Sequence, residues 1–218
     1  MPMRIPVIEM IEISAGGGSI AAVDRLGRLT VGPKSAGSEP GPVSFGPGGT
    51  APTVNDTGIA LGYIQADTFA EGQFQLDSPA AKAAIAATIG TALGLTTAEA
   101  ADAVSRIVDE SMASAGRTHA VESGKDLGPR TMIAFVGNGP LHACRVARSA
   151  GIARVLIPPN PSVGSAGGFL FAPVSFEIVR SRYTLLQSID LDLVNTLFHQ
   201  MCAEALVLCA RAMHRASS

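Results

Sequence analysis

Two glycine-rich turns, set about 120 residues apart, constrain this chain more than any other feature. The first is Ile13-Ser-Ala-Gly-Gly-Gly-Ser-Ile20, entered through the apolar residues Ile11, Ile13 and Ala15. The second is Ile133-Ala-Phe-Val-Gly-Asn-Gly-Pro-Leu-His142, where the strand-like run 132–136 stops at glycine and the pattern continues as a helix. Glycines leave backbone N–H groups free to approach an anion, and a helix beginning at the second turn points positive partial charge into the same region. Such a pair can hold the two ends of one nucleotide. Each turn also has a plainer reading, since glycine runs serve hairpins and strand-to-helix junctions without any ligand.

The surrounding pattern alternates strands and helices. Residues 7–32 read as a hairpin: a strand into the glycine turn, a second strand over 19–24, a tight turn at Arg25-Leu-Gly-Arg28 and a return over 29–31. Residues 39–53 carry Pro40, Pro42, Pro47 and Pro52 with four glycines, which excludes a helix or central strand and leaves an ordered loop or a linker; Phe45 and the run into Thr53-Val-Asn-Asp-Thr57 favour an ordered loop lining a site. Ser78-Pro79 supplies a helix start and Gly94 its end, and Thr96-Thr-Ala-Glu99 is a capping box for a second helix with Ala100, Val104, Ile107, Val108 and Met112 on one face. A helical hairpin is therefore expected in the middle of the chain. A strand over 132–136, a helix over 140–149 and a strand over 154–157 then imply a right-handed parallel crossover. Residues 160–171 read as a glycine- and serine-rich loop running into a helix. Leu191, Val194, Phe198, Met201, Ala205, Leu208 and Ala212 form one stripe of a final amphipathic helix. A chain that opens almost inside a strand and closes on an unmatched apolar stripe is read as a fragment.

Composition narrows the partners. Sixteen basic against eighteen acidic residues give a net charge of −2, with no electrostatic footprint for nucleic acid or an anionic membrane. The apolar content of 47% is enough for a core in 218 residues. No apolar run approaches the roughly 20 residues of a bilayer span, and no signal pattern opens the chain, so a cytoplasmic protein is expected. Cys144, Cys202 and Cys209 lack metal or redox spacing and read as buried free thiols in helices.

Among single residues, Asp56 in Thr53-Val-Asn-Asp56 is the candidate for a catalytic contact to a metal-bound water or to substrate, its plain alternative being the N-cap of a helix over 57–61. His142 falls in the first helical turn after the second glycine segment and reads as a core or surface histidine. Lys125, Arg130, Arg145 and Arg148 read as a solvated basic face, and His119, His199 and His214 receive no role.

Four segments in order resemble the hydantoinase A/5-oxoprolinase family: Glu12-Ile-Ser-Ala-Gly-Gly-Gly-Ser-Ile-Ala21, Val31-Gly-Pro-Lys-Ser-Ala-Gly-Ser-Glu-Pro-Gly-Pro42, Gly48-Gly-Thr-Ala-Pro-Thr-Val-Asn-Asp56 with Leu61-Gly62, and Gly137-Asn-Gly-Pro-Leu-His-Ala143. The resemblance runs from residue 6 to about 176, and family members are roughly three times longer. It implies an α/β fold: a ribonuclease-H-like lobe of the actin, Hsp70 and sugar-kinase superfamily with an inserted helical hairpin, over residues 1–176. Residues 177–218 then begin a further region. It also implies ATP and Mg2+ as cofactors, with Gly16, Gly17, Gly18 and Ser19 on phosphate and Gly137, Asn138, Gly139 and Pro140 against the nucleoside. Metal ligands are not assigned, and the first phosphate loop of longer members has no match.

The implied reaction is ATP-dependent hydrolysis of a cyclic amide such as 5-oxoproline or a hydantoin, through phosphorylation of the ring carbonyl. The isolated fragment is expected to be inactive without a hydantoinase B-type partner subunit or the missing N-terminal lobe. Alternatives are a subunit of an ATP-dependent ketone carboxylase and a non-catalytic assembly module. The chain departs from the family pattern at Val136 (usually glycine), Asn138 (alanine) and Asn55 (threonine). Val136 is expected to extend the strand by one residue, and Asn138 to take the left-handed conformation.

Overall fold

The computed structural model describes residues 10–46, 48–173 and 175–216, which fall into two compact units, Met1–Gly164 and Ser165–Ser218. The first begins, among described residues, with strands β1 (Ser19–Val23) and β2 (Leu29–Ser35), paired antiparallel with Ala22 opposite Thr30 and Val23 opposite Leu29. Asp24 closes the turn between them by accepting the N–H groups of Leu26 and Arg28 at 2.8 and 2.9 Å. The strand expected before the first glycine turn lies partly outside the described residues. Residues 10–15 form no strand, because nothing among the described residues offers them a ladder of hydrogen bonds.

The proline-glycine segment is ordered, as expected. It forms a short 3-10 turn (Val43–Phe45), and near its end Pro52 accepts the N–H of Ala21 at 2.9 Å while Thr53 bridges Ile20 antiparallel. The chain then enters α1 (Val54–Ala60). Helix α2 (Ser78–Ile85) starts one residue earlier than the sequence indicates: Asp77 is the N-cap, its carboxylate accepting the N–H of Ala80 at 2.8 Å, with Ser78 already helical. A single π turn (Ala86–Gly90) joins α2 to α3 (Thr91–Leu93), and Gly94 stops the run at φ +68°.

Thr96 and Glu99 form the anticipated capping box for α4 (Thr97–Glu122). The two helical segments are bent by 86° to one another rather than folded back as a hairpin. That corner lets both pack on one cluster: Ile85 and Ile89 from one arm, Ala100, Ala101, Val104 and Val108 from the other, with Val54 and Ala21 completing the core. Each fully buried Ile or Val contributes roughly 1.5–3 kcal/mol through loss of apolar contact with water.

Strands β3 (Thr131–Ile133) and β4 (Arg154–Leu156) pair parallel in register, and α5 (Gly139–Ser149) connects them. Strand β3 ends three residues before Val136. Val136 takes φ +71° and gives its N–H to Pro161 O at 2.8 Å, a left-handed residue that no strand continues through. Asn138 is right-handed, φ −93°, so the left-handed residue of this turn is Val136 and not Asn138.

Helix α6 (Gly164–Phe171) opens at the boundary of the second unit, whose principal element is α7 (Leu191–Ala216). Arg180 pairs with Glu204 at 2.6 Å within that unit. Contrary to the expectation of no bilayer-length segment, Leu191–Arg211 is 21 residues with mean hydropathy 1.4, long and apolar enough to cross a membrane by length and composition alone. The cysteines lie in helices as free thiols, but Cys144 and Cys202 are exposed rather than buried; in α5 the packed side is taken by His142, Ala143 and Ala147.

Candidate functional site

The site is built where three segments, far apart in the chain, meet. Gly16, Gly17 and Gly18 form a half-buried turn ahead of β1, held by Gly16 N–H donating to Ser19 Oγ at 3.0 Å and Ser19 N–H donating to Gly16 O at 2.9 Å. Ser19 is buried, and its hydroxyl donates to Ser14 O at 3.4 Å, so this side chain shapes the turn from inside. Asn55, in the first turn of α1, donates its N–H to Gly17 O at 2.8 Å. Asn138, the residue before α5, donates its side-chain amide to Asn55 Oδ1. Gly17 lies directly under that amide pair: a Cβ there would collide with both Asn55 Oδ1 and Asn138 Nδ2. At Gly16 and Gly137, by contrast, an added methyl group would meet nothing within 4 Å.

Helix α5 starts with Gly139 and Pro140, both half-buried, beside the exposed Gly137. The sequence provides this start through glycine and a proline in the first turn. No side chain caps it, whereas α1 and α4 both carry full capping boxes. The first-turn N–H groups of a helix have no intrahelical acceptors, so an uncapped start offers donors and a positive dipole end to an anion. Gly16, Gly17 and Gly18 with Gly137, Asn138, Gly139 and Pro140 are thus brought to one place, with Ser19 behind them.

Asp56 is also adjacent, but it faces inward with no exposed surface. Its carboxylate accepts five hydrogen bonds: Ser44 N–H and Oγ–H at 2.8 and 2.6 Å, Thr53 N–H and Oγ1–H at 2.8 and 2.8 Å, and Val43 N–H at 3.2 Å. Those donors fill the lone-pair positions of both oxygens. Asp56 is the third helical residue of a capping box whose N-cap is Thr53, so the plain N-cap reading is displaced by three residues. In this arrangement the carboxylate binds the 43–44 segment to the start of α1. Among the described residues no group of three His, Cys, Asp or Glu side chains is placed to hold a metal ion.

Behind the second turn lies a polar network that the sequence did not disclose. His142 is buried, its Nδ1 2.6 Å from Asp109 Oδ1 on α4. Arg145 reaches Asp109 Oδ2 at 3.4 Å and Ser105 Oγ at 3.0 Å, stacks on the Tyr63 ring at 4.8 Å from its centre, and also bonds the Tyr63 hydroxyl. Arg145 therefore belongs to an interhelical joint and not to a solvated basic face. Asp109 shares a helix face with Val108 and Ser105, and only its pairing with a residue 33 positions away marks it.

Comparison with known proteins follows the same segments. The profile of the family described as hydantoinase/oxoprolinase matches residues 1–178. Among curated relatives, the caprolactamase subunit alpha of Pseudomonas jessenii is 35% identical over 199 residues, covering 90% of this chain and 29% of its own. The acetophenone carboxylase gamma subunit of Aromatoleum aromaticum is 45% identical over 141 residues, 64% of this chain and 19% of its own. The solved ATP-dependent caprolactamase from Pseudomonas jessenii superposes with a TM-score of 0.69 at 33% identity, covering 88% of this chain and 28% of that one. A nucleotide-free acetone carboxylase structure matches with a TM-score of 0.69 at 28% identity over 74% of this chain and 23% of its own. The chain spans less than a third of the length of these relatives.

Proposed function

The chain belongs to the hydantoinase/oxoprolinase family, and from that premise we propose that it supplies a ribonuclease-H-like lobe, of the actin, Hsp70 and sugar-kinase type, to an ATP-dependent enzyme acting on a cyclic amide. The observation that carries this reading is the meeting of the first glycine turn with the uncapped start of α5. In it, the turn of Gly16, Gly17 and Gly18 receives the phosphates on the N–H groups of Gly17 and Gly18, Gly16 N–H being held by Ser19 Oγ, while Gly137, Asn138, Gly139 and Pro140 lie against the nucleoside. Donors on a preformed turn stabilise developing phosphoryl charge without reorganising at the moment of reaction.

When bound, ATP would supply the phosphoryl group that, placed on the amide carbonyl oxygen, opens the carbonyl carbon to attack by water. The residues here position it. The donor set does not fit a magnesium ion held by protein side chains alone, since Asp56 is filled and no cluster of ligands accompanies it among the described residues. Magnesium belongs to this proposal as an ion carried mainly by phosphate oxygens and water. Asp56 acts as a positioning residue, holding the loop and the first turn of α1 against Gly17. The remainder of the cleft, and the water-activating groups, come from a partner subunit or from further chain like that of the longer relatives.

A second reading is favoured by one observation, the 45% identity to the acetophenone carboxylase gamma subunit: the same nucleotide lobe serving ATP-dependent carboxylation of a ketone. The test begins with titration of a fluorescent ATP analogue and magnesium against the chain, Gly16→Ala and Gly137→Ala. Both substitutions fit sterically, so weakened binding reports the ligand and not the fold. We expect saturable binding, reduced about tenfold by either substitution, because the added methyl group occupies open space beside the backbone that the ligand would otherwise approach and costs about as much as one hydrogen bond. Absence of binding at millimolar nucleotide would overturn the assignment. Nucleotide turnover in the presence of partner chain, stimulated by a lactam or instead by a ketone with bicarbonate, separates the two substrate classes.

A further inference from the structure

We infer that Asn55 and Asn138 form a latch that fixes the spacing between the two glycine turns, making them the positioning pair for any ligand that touches both. Three observations carry this. The Asn138 amide donates to Asn55 Oδ1 across 83 residues of sequence, a direct side-chain bond between the start of α5 and the start of α1. Asn55 is itself tied to the first glycine turn by its N–H to Gly17 O at 2.8 Å, and Gly17 passes so close beneath the pair that a methyl group would strike both amides. Asparagine is also among the strongest N-capping residues, because its side-chain oxygen normally accepts an N–H of the first helical turn. Asn138 occupies that position in α5 yet makes no capping bond.

The diversion has two effects at once. The amide holds the second turn to the first, and the start of α5 stays uncovered. Asn55 stands on a base that cannot easily shift, since Thr53 and Asp56 on either side are buried in the capping box. The separation of the two turns is thereby set before a ligand arrives. Preorganisation of this kind lowers the ordering cost of binding. In this respect the inference rests on the reading of the two turns as one nucleotide site, but the latch itself is a statement about the free protein.

Amide hydrogen exchange on the full chain tests it without nucleotide. The variants are Asn138→Asp, which keeps shape and capping ability but cannot donate to Asn55, Asn55→Ala, and the double variant. We expect either single variant to speed exchange of the hydrogen-bonded amides on both sides, Gly16, Ser19 and Asn55 at the first turn and Leu141 at the second, by about tenfold, the factor of one net hydrogen bond, and the double variant to add nothing further. Exchange in the core of α4 serves as the internal record that the fold is kept. Exchange changed at 137–141 alone in Asn138→Asp, or effects that multiply in the double variant, would overturn the latch. Titration with the fluorescent ATP analogue and magnesium then reads function with the uncharged pair: Asn55→Ala and Asn138→Ala weaken binding by the same factor as the two combined. Failure of the unaltered chain to bind the analogue counts against the nucleotide reading alone, since exchange decides the latch independently.

Discussion

Asp56 and Val136 show how far single residues here depart from the expectations placed on them. Replacing Asp56 by asparagine swaps an acceptor that takes five donors for a group that must turn its own NH2 toward some of them. Charge-assisted bonds are lost and buried N–H groups are stranded, so Asp56→Asn should lower stability by about 3 kcal/mol or more in urea unfolding. Val136 is a β-branched residue at φ +71°, exposed enough that its side chain holds little packing. Val136→Gly should raise stability by about 1 kcal/mol, strain relief outweighing the extra freedom of the unfolded chain; an unchanged or lower urea midpoint would refute this. The sequence located both positions inside motifs of interest. It could not tell that Asp56 points inward, because the donors that saturate it come in part from residues 43–44, whose course follows from a loop with no periodic pattern. Nor could it tell that Val136, rather than the more permissive Asn138, turns left-handed.

At the level of elements, signals confined to one turn of chain were legible, and signals made by packing were not. Thr96 and Glu99 announce α4, and Gly94 ends the helix before it. The 86° corner between those helices was not foreseeable, since it arises from both arms sharing Ile85, Ile89, Val104 and Val108 as one core. The Thr96 hydroxyl, and then its N–H, hold the Glu99 carboxyl below its usual range. The Ser149 hydroxyl, then Arg117, do the same for Glu110, joining α4 to the end of α5. A carboxyl whose pKa is depressed on folding contributes stability present above the unfolded value, near 4.3 for glutamate, and lost as pH falls through the folded one. The urea midpoint should therefore drop as the pH falls from the unfolded glutamate value through the depressed folded ones, and Thr96→Ala should make that drop shallower by removing the part due to Glu99. The joint of His142 with Asp109 is buried at both ends. Asp109→Ala leaves His142 and Arg145 without their shared acceptor, and should cost about 3 kcal/mol by chemical denaturation.

For the whole molecule, the two units differ in how they are held. The first has a core; the second exposes Leu191, Phe198, Leu206 and Val207 along α7 and, among the described residues of 172–185, a stretch without regular structure. Trypsin should cut first at Arg180 or Arg182, both outside helices. The larger product should resist further digestion, and an early cut within α4 would refute that. The chain's α/β character and its order of strands and helices could be read directly from periodicity and caps. The meeting of residues 16–18, 53–56 and 137–140 could not, because contacts across 83 positions leave no local pattern. That same distance bears on the order of events during folding. Bonds from Asp56 to Ser44 close loops of 12 residues, while Asn138 must find Asn55 across 83. Closure entropy grows with loop length, and long-range contacts are gained late. The junction of residues 43–44 with the start of α1 is accordingly laid early, and the two glycine turns are joined in the final stage of folding and are the first to part under stress.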